Sequence, residues 1–259
     1  MYDLFVDVPG GKVFTRRWNV QATQNPPLIL LHDSLGCVEL WQDFPLELAH
    51  ACNCEVIAYD RLGFGKSSAR SGALSMQFIC EEAAIYFPAI QETLGLTRFS
   101  LFGHSVGGGM ALMIAASQPD HCAAVITESA QAFVEERTKV GIRTAMQHFV
   151  QPEQFAKLER LHGDKARWVF AAWTETWLAP AFADWSLDPH LSGVTSPVLA
   201  IHGDLDEYGS LEFPRRIVTR AGGHAEKLIL RGCGHIPHRE QKAQVLQACS
   251  TFLHNQLGY

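Results

Sequence analysis

No apolar run in this 259-residue chain approaches the ~20 residues that a bilayer-crossing helix requires, so a membrane-spanning helix is excluded. Long basic stretches are missing too. With 21 Lys and Arg against 27 Asp and Glu the formal charge is −6, which argues against a nucleic-acid or anionic-membrane partner and favours a small neutral or apolar molecule. There is no C-x-x-C pair. The seven cysteines (Cys37, Cys52, Cys54, Cys80, Cys122, Cys233, Cys249) are odd in number and scattered through apolar segments, as expected of buried free thiols in a reducing cytoplasm. Met1-Tyr2-Asp3-Leu4 shows no basic region leading into an apolar core, so no secretory leader is expected. Internal repeats and low-complexity tracts are also absent. At 47% hydrophobic content the chain can bury a large core, as a monomer or a homodimer.

What is present is a series of short apolar runs without polar alternation, the signature of strands covered on both faces of a parallel sheet. They lie at Pro27 to His32, Cys54 to Tyr59, Phe99 to Phe102, Ala123 to Thr127, Val198 to His202 and Lys227 to Leu230. An N-terminal hairpin is expected around Pro9-Gly10-Gly11. Helix-length segments separate most of the runs, with clear helical periodicity in Gln77 to Leu94, Met110 to Ser117 and Gln241 to Leu253. The alternation implies an α/β fold with a mostly parallel sheet. One stretch breaks it: residues 131–190 hold no strand-like run, only helical spacing. They are expected to form a helical lid over the carboxyl ends of the strands, on a core made of 1–130 and 191–259.

The chemistry centres on Gly103-His104-Ser105-Val106-Gly107, where an apolar run gives way to a helical one. A Ser at the apex of such a turn is held in strained geometry that flanking glycines permit, and the following helix aims its free N–H groups at whatever sits on the hydroxyl. A serine hydroxyl is a weak nucleophile at neutral pH and needs a base and an orienting acid. His235, in Gly232-Cys233-Gly234-His235, follows the last strand-like run and is the candidate base. Asp206, in Gly203-Asp204-Leu205-Asp206-Glu207-Tyr208, follows the preceding strand and is the candidate acid. Glu128 stands at another strand end and is the weaker alternative. For an oxyanion, the backbone N–H groups of Val106 and of Ser34, in His32-Asp33-Ser34-Leu35-Gly36, are the expected donors.

Other signals lose weight on inspection. Gly65-Lys66-Ser67 resembles the end of a phosphate-binding loop, but Asp60 stands where that pattern requires glycine. His202, His224, His235 and His238 lack metal-ligand spacing, so no metal is expected. Aromatics crowd the lid: Phe149, Phe155, Trp168, Phe170, Trp173, Trp177, Phe182 and Trp185. Trp173 and Trp177 share a helical face. They belong either to the lid's packing or, with His104 and Trp41, to a substrate pocket. Arg137, Lys139 and Arg143 form a cationic group read as a solvated face.

Five of these motifs in order resemble the α/β-hydrolase fold family, in its branch with a helical cap inserted after the sixth strand. They are His32-Asp33-Ser34-Leu35-Gly36, Asp60-Arg61-Leu62-Gly63-Phe64-Gly65-Lys66-Ser67, the Ser105 turn (the family's nucleophile elbow), Gly203 to Asp206, and Gly234-His235. Asp33 stands where the family usually has glycine. The resemblance implies a cofactor-free serine hydrolase acting on a small acyl substrate through an acyl-Ser105 intermediate, with a carboxylic ester as the expected bond. Thioester, lactone and carbon–carbon hydrolysis share the constellation, and a lyase or a ligand receptor on the same fold remains an alternative.

Overall fold

The computed structural model describes residues 1–18 and 25–258. Strands β1 (Tyr2–Val8) and β2 (Gly11–Trp18) form the expected hairpin around Pro9 and Gly10, and β2 continues antiparallel onto β4 (Val56–Tyr59). From there β4, β3 (Leu28–Leu31), β5 (Phe99–His104), β6 (Cys122–Glu128), β7 (Val198–Gly203) and β8 (Ala225–Leu230) run parallel in that spatial order.

Period-two alternation sends successive strand residues to opposite faces, and both faces are dry. Leu28, Leu30, Phe102, Ile126 and Ile201 point to one side, with Phe44 and Leu48 of α1 (Phe44–Ala51) and Val245 and Phe252 of the C-terminal helix. Ile29, Leu31, Leu101, Val125 and Val198 point to the other. There they meet α2 (Phe78–Glu81), α3 (Phe87–Leu94), α4 (Val106–Ser117) and the helix at Glu212–Arg220. Each fully buried Leu, Ile or Phe contributes roughly 1.5–3 kcal/mol. The expected helix from Gln77 to Leu94 is interrupted by a π segment at Glu82–Tyr86. Pro88 has no N–H to bond the Ala84 carbonyl in α register, and the ladder shifts to accommodate it.

Between β6 and β7 the chain is helical: α5 (Glu136–Phe149), α6 (Pro152–His162), α7 (Ala166–Leu178) and the short α8 (Asp188–Leu191). After β7 come α9 (Glu212–Arg220), α10 (Pro237–Glu240) and α11 (Lys242–Leu257). The helices after β6 are tied to loops that follow the carboxyl ends of strands. His162 accepts from the Gly65 N–H (2.8 Å) and donates to the Leu35 carbonyl (3.0 Å), Lys165 donates to the Gly65 carbonyl (2.8 Å), and Thr138 donates to the Tyr208 carbonyl (2.6 Å). Covered by α2, the π segment and α8 on one side and by the sheet on the other, α4 is buried from Val106 to Ala115. No helix among the described residues is long and apolar enough to cross a membrane.

Candidate active site

Ser105 sits between β5 and α4 with φ 56° and ψ −125°, a backbone conformation costly for any residue with a side chain. The turn is made possible by close backbone approach on both sides. A Cβ at Gly103 would lie 2.2 Å from the Gly107 carbonyl oxygen, and one at Gly107 would lie 2.2 Å from the Leu31 carbonyl oxygen. The strained turn is clamped by a hydrogen bond from the Ser105 N–H to the Glu128 carbonyl (2.8 Å).

The two loops carrying the other candidates are in backbone contact, because Gly203 leaves only 2.2 Å between a would-be Cβ and the Cys233 carbonyl oxygen. That contact brings His235 Nδ1 to 2.9 Å from both carboxylate oxygens of Asp206. Asp206 is fully buried and also accepts from the Tyr208 N–H at 2.8 Å. Burial alone pushes its carboxyl upward, but the His235 charge and hydrogen bond and nearby His202 outweigh that and hold it below the usual Asp value. Burial likewise pulls His235 down, and Asp206 outweighs it, with Glu207 and Asp33 adding to the effect, so the imidazole sits above its ordinary 6.5. Asp204 instead accepts from the Gly232 N–H (2.7 Å). Glu128 is also committed elsewhere: its oxygens accept the His238 backbone N–H and Nδ1–H, each at 2.5 Å.

The expected hydrogen bond from Ser105 to His235 is absent among the described residues. The Ser105 hydroxyl is engaged instead by the Gln131 carboxamide, with Nε2 at 3.2 Å and Oε1 at 3.4 Å. Gln131 escaped sequence reasoning, since a single Gln in a loop carries no spacing signal. The other side of the site is better defined than the sequence allowed. The Asp33 carbonyl accepts from His32 Nδ1–H (2.8 Å) and Arg61 Nη2 (2.6 Å). In a trans peptide the C=O and the following N–H point in opposite directions, so the Ser34 N–H is turned away from that pair. The Val106 N–H, at the first position of α4, has no intrahelical acceptor.

Ser105, His235, Asp33, Ser34, Gln131, Trp173, Trp177, Glu207 and Tyr208 line one cavity of about 200 Å³. Trp177 combines the two roles weighed for it, lining this cavity while packing edge-on against Phe182 (5.2 Å) and Trp185 (5.7 Å). His104 and Trp41 do not line this cavity. They line a separate cavity of about 480 Å³. His104 is the last residue of β5, so its side chain leaves the strand on a different side from the residue that follows. Its Nε2–H donates to the His235 carbonyl at 2.8 Å. Of the cationic group, Lys139 (2.7 Å) and Arg143 (3.0 Å) pair with Glu136, away from the cavity. Among the described residues one metal-compatible cluster occurs: ligand atoms of buried His104, Glu128 and His238 lie within 4.8 Å of one another.

A family model for the alpha/beta hydrolase fold matches residues 26–174, more than half of the sequence, and the chain belongs to that family. It is 30% identical over 113 residues to a proline iminopeptidase of Lactobacillus delbrueckii subsp. bulgaricus, covering 43% of this chain and 38% of that protein. Over 114 residues it is 31% identical to the 1-acylglycerol-3-phosphate O-acyltransferase ABHD5 of Homo sapiens, covering 42% and 31% respectively. The matches thus span less than half the length of these curated relatives. Among solved structures, a proline iminopeptidase of Mycobacterium smegmatis superposes with a TM-score of 0.74 at 20% identity, over 98% of both chains. An enol-lactonase of Burkholderia xenovorans LB400 gives 0.74 at 19% identity, over 96% and 99%. At that identity the likeness concerns the fold alone.

Proposed function

We propose that the chain is a serine hydrolase that cleaves a carboxylic ester of a small acyl substrate through an acyl-Ser105 intermediate. The observation that carries this reading is the buried Asp206 carboxylate holding His235 Nδ1 with both oxygens, in a loop in backbone contact with the one after β8 that carries His235. With Nδ1–H given to Asp206, the His235 Nε2 lone pair is the one left for proton transfer. On substrate binding the Ser105 hydroxyl exchanges Gln131 for His235, loses its proton to Nε2 and attacks the carbonyl carbon. The developing oxyanion is met by the Val106 and Ser34 N–H groups. Collapse expels the alcohol, which takes the proton from the imidazolium. Water, activated by the same Nε2, then releases the acid. These steps call for no cofactor.

Residues 131–190 act in this reading as a cap, with Trp173 and Trp177 bounding the acyl site. A cavity of about 200 Å³ equals roughly six or seven waters in volume, which suits a short acyl group. The names of the similar proteins include a peptidase and a lactonase, so amide and lactone bonds belong in the same test. The seven free thiols, six of them buried, support a cytoplasmic location. A panel of p-nitrophenyl esters, thioesters, lactones and amides of two to eight carbons tests the reading. The highest kcat/KM on short esters, with a mass increment of one acyl group on Ser105, is expected. Turnover with no covalent adduct under rapid quench would overturn the acyl-enzyme.

A further inference from the structure

The 480 Å³ cavity has no role in the reaction above, yet it is the larger of the two and falls in the range of small-molecule sites. Its walls are mostly apolar, including Leu40, Trp41, Phe149, Leu158 and Leu161, and it shares Asp33, Leu35 and Ile236 with the Ser105 cavity. Three polar groups on it have no hydrogen-bond partner among the described residues. The Asp33 carboxylate accepts no hydrogen bond among the described residues, and His104 Nδ1 lies 3.9 Å from its Oδ2. His104 is 3% exposed and has spent its Nε2–H on the His235 carbonyl, so Nδ1 presents a bare lone pair. Burial, the largest influence, takes its pKa down to about 4, and the ring is neutral at physiological pH. The Trp41 indole N–H is buried without an acceptor among the described residues.

A carboxylate and an imidazole lone pair facing each other at 3.9 Å repel. A positively charged donor with several N–H bonds placed between them satisfies both. The carboxylate is also accommodated by the loop itself: a Cβ at Gly36 would fall 2.2 Å from Asp33 Oδ1, so glycine there makes its room. We propose that this cavity binds an apolar ligand carrying a protonated amine, the ammonium lying between Asp33 Oδ2 and His104 Nδ1 and the hydrocarbon running over Leu40, Trp41 and Leu158. Because the cavity shares a wall with Ser105, the ligand is the amine-bearing half of the substrate, a step that rests on the hydrolase reading.

Two competing occupants fit less well. A metal on His104, Glu128 and His238 would have to compete for a Glu128 carboxylate whose two oxygens already accept from His238, whereas an amine between Asp33 and His104 displaces no hydrogen bond. An anion would be drawn by Lys157 and Arg239 at the cavity wall. Both are exposed, where solvent screens them, and they already bond Gln154 and the Leu40 carbonyl.

Calorimetric titration of the intact protein with hexylammonium, 1-hexanol and hexanoate tests the site. Hexylammonium should bind at least tenfold more tightly than hexanol and more tightly than hexanoate. Asp33→Asn, a near-isosteric change, should bring the ammonium-to-alcohol ratio to within threefold of one. Glu207→Gln, which removes a charge from the other cavity, should leave the ratio in place. Equal binding of amine and alcohol, a preference for hexanoate, or a ratio that survives Asp33→Asn would each overturn the proposal. For the substrate half, the acetate ester of 6-aminohexanol should be turned over at least tenfold more efficiently than that of 1-hexanol, with the advantage lost in Asp33→Asn. Equal turnover would overturn it. Loss of hydrolysis altogether with amine binding retained would sink the hydrolase reading and leave the binding site standing.

Discussion

Asp206→Asn should cripple turnover while leaving the fold in place. The carboxylate is fully buried, accepts His235 Nδ1–H at 2.9 Å on either oxygen, and is nearly isosteric with a carboxamide. The carboxamide can present its NH₂ group toward Nδ1, which then becomes the acceptor and moves the ring proton to Nε2. A His235 in that tautomer has no lone pair for the serine proton, and its cation loses its counter-charge. The corresponding Asp→Asn change in serine proteases costs about 10⁴ in kcat, and a loss between about 10² and 10⁴ is expected here, or roughly 2.7–5.5 kcal/mol of barrier. Glu128→Gln provides the contrast. It removes charge from a carboxylate bonded to His238, not to His235, so stability should fall while kcat changes less than about tenfold. Steady-state kcat on a short ester, with urea unfolding of each variant, reads both effects. An active Asp206→Asn enzyme beside a crippled Glu128→Gln enzyme would refute the assignment of the acid.

The remaining expectations concern the base and the acyl site. Since His235 acts only when neutral and its pKa is raised, kcat/KM should climb with pH through a midpoint above 6.5 and then level off. A flat profile from pH 5 to 8 under chemistry-limited conditions would contradict the mechanism. The linked stability runs the other way: the contribution from protonated His235 is complete below 6.5 and is lost as pH rises through the folded-state pKa. Trp177→Phe enlarges the Ser105 cavity and should shift preference toward longer acyl chains at least threefold more than it alters the rate on an acetyl ester. Uniform losses along the chain-length series would mark Trp177 as a packing residue only.

How far the sequence could be read depended on whether a residue's surroundings leave a local mark. Ser105, Asp206 and His235 each follow a short apolar strand and lie within three residues of a glycine. At Gly103, Gly107 and Gly203 an added Cβ would fall 2.2 Å from a backbone oxygen, so the turns beside Ser105 and Asp206 left glycines as a mark in the sequence. Gln131 was not visible: it reaches Ser105 from 26 residues away through a loop with no periodicity. The same holds for Glu128 and His238, whose pairing joins residues 110 apart, so that a strand-end acid was weighed as a partner of His235 when its true contact lies three residues further on. Helical spacing marked residues 131–190, but not which aromatic rings turn toward Ser105. That Trp41 and His104 line a second cavity left no mark either, because the wall between the two depends on Asp33, Leu35 and Ile236, three loop residues with no pattern of their own. The π segment at Glu82–Tyr86 arises from Pro88 alone, a single residue inside an otherwise regular helical period.

Everything argued for the reaction depends on Ser105 being an activated nucleophile. The most direct measurement is to incubate the intact protein with a neutral fluorophosphonate at pH 7.5 and map the adduct by peptide mass spectrometry. One adduct, on Ser105, is the predicted result, slowed at least about a hundredfold in Asp206→Asn and abolished in Ser105→Ala with the fold retained. Labelling of another residue with Ser105 spared, or a rate at Ser105 unchanged by Asp206→Asn, would contradict the account.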